Sequence, residues 1–241
     1  MKRWAPDYTG GSIVNLAASL LQAFGAVGSH PPCRPDLLPE AALQAPAGVV
    51  LLVCDALGAD QLAPFIERGA VPHIAELVRR APAGMQRLTS VFHSTTSVAL
   101  TSLYCCSTPA EHGVLGMYQY FAELGALANM LTYRTVEASP RPLPPGLLSR
   151  RATLYETLAG LGVPSWVVNA AEYEGSPFSD MLHRGAAYQG FRTQSEIPYL
   201  LEEAIACAGG RRGFYSLYWP GVDMVAHTHG PLPAAYGGAL E

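Results

Sequence analysis

Asp55 directly follows Val49-Val50-Leu51-Leu52-Val53-Cys54, a run of β-branched and aliphatic residues of strand length. A carboxylate at the carboxyl end of a rigid strand can hold a metal ion, and it can equally cap a helix over 56–62. Thr96 closes the polar run His93-Ser94-Thr95-Thr96, at the expected start of a helix reaching about Tyr104. Unpaired N–H groups and the helix dipole favour anions there. A hydroxyl at that point could be a nucleophile whose alkoxide a metal stabilises, or simply a cap or polar turn. Asp223 and His227 stand four apart in Asp223-Met224-Val225-Ala226-His227-Thr228-His229-Gly230-Pro231, and could face one way on a helix or converge across a tight loop. One carboxylate and one imidazole are half of a four-ligand zinc set, and His229 is a further candidate donor.

These residues need elements that bring them together. Apolar residues recur at helical spacing over 13–24 and stop at Gly25, and a Pro-rich loop covers 29–46. The run 49–54 is too uniformly apolar for a half-exposed strand, which predicts a place at the centre of a parallel sheet. Helices are expected over 57–68, 72–80, from the 93–96 group to about 104, and over 152–161 and 195–208, strands over 87–92, 165–169 and 214–219, and the beginning of a helix over 233–241. Beyond Gly113 the chain reads as irregular, with 140–145 as a surface excursion. Strands alternating with helices imply right-handed crossovers and an α/β fold with a mostly parallel central sheet flanked by helices. Ligands gather at the carboxyl ends of such strands, where Asp55, the Ser94-Thr95-Thr96 group, and Asp223 with His227 all stand.

With 49% hydrophobic and only 14% charged residues, the 241-residue chain can bury a sizeable core, which excludes global disorder and fits a single α/β domain over 1–241. Fifteen basic against nineteen acidic residues, net −4, offer no overall charge to a nucleic-acid backbone, so no nucleic-acid polymer is expected as partner. The opening Met1-Lys2-Arg3-Trp4-Ala5-Pro6-Asp7-Tyr8 lacks the apolar stretch of a signal peptide, because Gly10-Gly11-Ser12 interrupts behind it. No segment approaches the roughly 20 uninterrupted apolar residues of a membrane span. Five cysteines, an odd number with Cys105 and Cys106 adjacent, fit a reducing compartment, and a cytoplasmic location is expected.

Four motifs occur in a telling order: Val50-Leu51-Leu52-Val53-Cys54-Asp55-Ala56-Leu57-Gly58; Ser90-Val91-Phe92-His93-Ser94-Thr95-Thr96 running into Leu100-Thr101-Ser102-Leu103; Pro109-Ala110-Glu111-His112-Gly113; and residues 223–231. In order and rough separation they resemble the nucleotide pyrophosphatase/phosphodiesterase family of the alkaline phosphatase superfamily. The opening Tyr8-Thr9-Gly10-Gly11-Ser12-Ile13-Val14-Asn15-Leu16 is similar to that of a bacterial branch of the family. The resemblance implies an alkaline phosphatase-like fold and a phosphoesterase with two divalent metal ions, zinc by expectation, acting on a small-molecule phosphate ester. In that family a threonine attacks phosphorus, forming a covalent phospho-enzyme that water then hydrolyses. Two neighbouring cations can stabilise the attacking and leaving oxygens together. Matched motif by motif, Asp55 binds one metal, Thr96 is the nucleophile at that metal, and Asp223 and His227 bind the other. Thr95 is set aside because the family's nucleophile stands four residues after the Phe matched by Phe92.

Some features depart from the family. Its further Asp-His-Gly cluster and last histidine have no counterpart before Glu241, and 233–241 reads as a helix cut short. The chain is therefore expected to be C-terminally incomplete, to bind metal weakly and to have little or no activity, with His112 and His229 as candidate substitute ligands. Ala99 stands where nucleotide-hydrolysing members have an Asn that donates to the phosphate, which counts against a nucleotide substrate. Tyr118, Tyr120 and Phe121 could stack on a base or aryl leaving group, or serve as packing. Two alternatives stay open: a phosphomonoesterase, sulfatase or phosphonate hydrolase of the same superfamily, and a non-catalytic binding or structural remnant of the fold.

Overall fold

The computed structural model describes residues 5–144, 150–231 and 233–240. Met1 to Trp4 of the charged opening, Pro145 at the end of the expected excursion, and Glu241 of the expected terminal helix lie outside them. The chain begins with α1 (Ile13–Ala23), β1 (Gly48–Cys54), α2 (Ala59–Glu67), α3 (Pro72–Arg80) and α4 (Thr96–Tyr104). It continues through α5 (Pro109–His112), β2 (Tyr118–Phe121), β3 (Ala126–Asn129), β4 (Arg134–Thr135) and α6 (Leu154–Gly160). Then come β5 (Ser165–Ala170), α7 (Pro177–Leu182), β6 (Ala187–Phe191), α8 (Ile197–Ala208), β7 (Gly213–Trp219), α9 (Gly221–His229) and α10 (Pro233–Leu240).

The main sheet is wholly parallel, in the order β1-β7-β5-β6 among the described residues. Alternation along β7 divides its side chains between the two faces. Phe214 points into the core built by α1, α4, α6 and α7, while Tyr215 and Leu217 meet α8. On β5, Val167 joins the first core and Trp166 and Val168 the second, with Trp166 stacked on Tyr215 at a ring separation of 5.3 Å. A third cluster, around Phe65, Val71, Val222 and Tyr236, ties α2, α3, α9 and α10 together. The α/β architecture with helices on both faces is the one expected.

Several expectations change. The run 49–54 forms β1, but β1 lies at the sheet's edge rather than its centre, with Val50 and Leu52 about half exposed. The doubly covered strands are β5 and β7, every residue of β5 being buried. Uniform apolarity reports that a strand can be covered on both faces, not that helices lie over both; α8 lies over β5, β6 and β7. Residues 87–92 are not a strand: only Thr89 makes a bridge, to Ser12, and α1 begins at the very next residue, so that partner segment offers nothing more to pair with. The segment expected to be irregular holds a three-stranded antiparallel sheet, β2-β3-β4. Neither β6 nor α7 is predicted from apolar periodicity, although Ser176 before Pro177 is a helix-start signal and its hydroxyl accepts from Ser179 N–H.

Candidate active site

Parallel pairing of β1 with β7 brings two distant parts of the chain to one sheet edge. Their register ends at Cys54 opposite Trp219, and Asp55 N–H donates to the Trp219 carbonyl at 3.0 Å. Asp55 and the start of α9 thus emerge side by side at the carboxyl ends of their strands. Asp55 is no helix cap, because α2 begins only at Ala59 behind Gly58. Its Oδ1 accepts from Ala56 N–H at 2.9 Å, Ala56 taking a left-handed conformation at φ 60°. Its Oδ2 accepts from two hydroxyls, Thr96 Oγ1 at 3.2 Å and Tyr218.

Thr96 is the first residue of α4 and Thr95 the residue before it. The neighbours therefore point differently: Thr95 Oγ1 meets Ser97 Oγ at 3.3 Å, while Thr96 faces Asp55. Asp223 lies in the first turn of α9, which is a helix, so of the two geometries left open by the sequence the four-residue spacing to His227 takes the helical one. His227 Nε2 is 3.6 Å from Asp223 Oδ2, longer than a good hydrogen bond, and the imidazole is 75% exposed against 29% for the carboxylate. Burial raises the Asp223 pKa, the Asp55 carboxylate raises it further, and His227 opposes both. The structure therefore brings Asp55, Thr96 and Asp223 into one neighbourhood, with His227 at its solvent side.

Two tyrosines that sequence reasoning did not single out complete this neighbourhood. Tyr218 is 7% exposed, and burial first, then the Asp55 charge, pushes its phenol well above the usual range. Tyr173, in a short 3-10 turn after β5, is also raised, first by burial and then by Glu172, with Asp223 and Asp55 adding to it. Strand parity puts Tyr218 on the Phe214 face of β7, a signal readable from sequence; its contact with Asp55 needs the β1–β7 register, which is not.

The donor set suits a divalent cation: two carboxylates, a hydroxyl and an imidazole, with the carboxylates close enough for one to raise the other. A cation between them would relieve that repulsion. Among the described residues no three His, Cys, Asp or Glu side chains converge on one point. His112 does not supply the missing donor. It is buried, Val114 N–H donates to its Nδ1 at 3.1 Å, and its Nε2 lies 2.8 Å from Ser102 Oγ, so both ring nitrogens are engaged. His229 sits exposed at the far end of α9. Of the loop aromatics, Phe121 packs against the main core, while Tyr118 and Tyr120 stand exposed on one face of β2.

His112 and His183 make acid stability predictable. Burial pushes both imidazoles down to about 4, with Arg151 adding to the effect at His112 and Glu111 opposing it; His183 lies among the rings of Tyr104, Tyr155 and Tyr188. In the unfolded chain both titrate near 6.5. A depressed folded pKa means full stability above about pH 6.5 and loss as the pH falls toward 4, about 3 kcal/mol for each residue. Urea unfolding midpoints should fall steeply between pH 7 and 4.5, and His183→Phe should remove about half of that slope. A midpoint that does not move over this range would contradict both assignments.

Two cavities have volumes of about 400 Å³ each, one lined by Gly58, Arg87, Phe92 and Ser94, the other by Glu172, Arg192, Pro220 and Met224. Residues 49–240 match the family model for type I phosphodiesterase / nucleotide pyrophosphatase. Among solved structures the chain is similar to phosphonoacetate hydrolase from Sinorhizobium meliloti 1021, in its complexes with phosphonoformate and with phosphonoacetate. In both comparisons the identity is 18% and the TM-score 0.49, over 80% of this chain and 51% of the other. The chain thus spans about half the length of the solved structures it matches. A search of curated proteins finds none that matches.

Proposed function

Because the chain belongs to the type I phosphodiesterase / nucleotide pyrophosphatase family, we propose that it is a metal-dependent phosphoric ester hydrolase with Thr96 as its nucleophile. The observation that carries this reading is the contact of Thr96 Oγ1 with Asp55 Oδ2, 3.2 Å, beside Asp223. Asp55 and Thr96 would hold one divalent cation, and Asp223 and His227 a second, zinc being the expected metal. When bound, the cations supply positive charge to the phosphate oxygens and favour the ionised hydroxyl.

The chain's own groups do the rest. Thr96 Oγ1 attacks phosphorus, the bond to the departing alcohol breaks, and water later releases the phosphoryl group from Thr96. The Thr96 proton is already directed at Asp55 Oδ2. Backbone N–H groups in the first turn of α4, where Thr96 stands, would stabilise charge gathering on a phosphate oxygen. Membership of a type I phosphodiesterase family favours a diester as the substrate. Ala99, one turn into α4, has no side-chain donor for the phosphate, which argues against nucleotides as the preferred diesters.

Four donors shared by two cations predict weak metal binding and low turnover, so zinc must be present in excess. The test is hydrolysis of bis(p-nitrophenyl) phosphate and of p-nitrophenyl phosphate by the purified chain. Turnover of the diester is expected to exceed that of the monoester, to fall by about 100-fold or more with EDTA, and to return with zinc. A faster monoester would turn the assignment toward a phosphomonoesterase. Turnover indifferent to EDTA would remove the metal from the mechanism.

A further inference from the structure

Asp55 carries an unusual load for a residue at the edge of a sheet. Its Oδ1 is held by Ala56 N–H at 2.9 Å, and its Oδ2 by Tyr218 as well as by Thr96. Tyr218 reaches it from the neighbouring strand: it stands opposite Val53 in the β1–β7 register, two residues before Asp55 on the same face. Buried in this way, the phenol has little freedom to turn elsewhere. A carboxylate bound at Oδ1 alone could rotate about its side-chain torsions and carry Oδ2 away from Thr96. The hydroxyl of Tyr218 removes that freedom.

We propose that Tyr218 is a positioning residue, whose hydroxyl orients the Asp55 carboxylate toward Thr96 and so sets how tightly the site holds a divalent cation. It touches neither substrate nor the reacting atoms; it acts through Asp55. Outer hydrogen bonds of this kind fix the direction of a ligand, and their loss commonly weakens metal binding 10–100-fold. The competing account is that Tyr218 only fills the core, its hydroxyl taking whatever acceptor is nearest.

Tyr104 separates the two accounts. It is 1% exposed, and its hydroxyl, 2.9 Å from Ser216 Oγ on the same face of β7 as Tyr218, serves a buried hydrogen bond that does not involve Asp55. Zinc affinity of the purified chain would be measured by competition with a chromogenic chelator, for wild type, Tyr218→Phe and Tyr104→Phe, alongside thermal midpoints. Tyr218→Phe is expected to bind zinc about 10–100-fold more weakly, and Tyr104→Phe within about twofold of wild type, with similar midpoints for the two variants. Unchanged zinc affinity in Tyr218→Phe overturns the proposal. So do equal losses in both variants, which would mean that a loosened core, not the lost Asp55 contact, weakens the site. The proposal rests on Asp55 being a metal ligand. A wild-type chain that binds no zinc overturns that reading and this inference with it, whereas zinc binding indifferent to Tyr218 overturns this inference alone.

Discussion

Thr96→Ala is expected to lower zinc-supported hydrolysis of bis(p-nitrophenyl) phosphate by about 10³-fold or more while leaving the fold intact. The side chain is half-buried at the first position of α4 and, among the described residues, makes one side-chain hydrogen bond, to Asp55 Oδ2. Losing that bond costs about 1 kcal/mol, too little to unfold a domain of this size. Thr96→Ser keeps an oxygen at the same place and should retain a measurable part of the rate. Thr95→Ala is the informative companion. The Thr95 hydroxyl meets Ser97 rather than Asp55, so its removal should change the rate less than about tenfold. An equal collapse in Thr95→Ala would move the nucleophile by one residue, and full activity in Thr96→Ala would leave the site without its proposed chemistry.

Asp223→Asn is expected to act in opposite directions on function and on stability. The carboxylate is mostly buried, and burial and the Asp55 charge raise its pKa, with His227 only partly offsetting them. A carboxyl whose folded pKa is raised lowers stability at neutral pH, and that loss is recovered as the pH falls. Without added metal, the Asn variant should therefore melt no lower than wild type at pH 7, and at a higher temperature if repulsion outweighs the contact with His227. With zinc, its affinity and turnover should fall by about 100-fold or more, because one anionic donor is gone. A variant that loses stability without metal and keeps its zinc affinity would make Asp223 structural.

Much of the fold follows from local pattern. The period of apolar residues marks α1, α3, α4, α6 and α8, the Pro72–Arg80 boundaries agree with the expected ones to the residue, and α4 begins within the expected His93–Thr96 group. The carboxyl-end placement of Asp55 and Asp223 needs only strand–helix alternation and the residues at each junction, whereas Thr96 reaches the same neighbourhood with no strand before it. The small β2-β3-β4 sheet escapes this reading because its strands are two to four residues long, below the length at which alternation can be recognised. Residues 87–92 fail in the other direction: extended conformation is local, but a strand needs a partner, and here only Thr89 has one.

The class of the fold, the chemistry of the candidate donors and the family are legible in the chain as written, since each is carried by residue type and spacing along one continuous stretch. It takes the folded chain to put β1 at the edge of the sheet among the described residues, to turn Thr96 rather than Thr95 toward Asp55, to seal His112 with Ser102 and Val114, and to bring Tyr218 to the same carboxylate oxygen as Thr96. The first and last of these depend on which strand pairs with which, across more than 160 residues between Asp55 and Tyr218. Pairing of that kind is settled by the packing of the whole core, not by any local preference of the residues that meet.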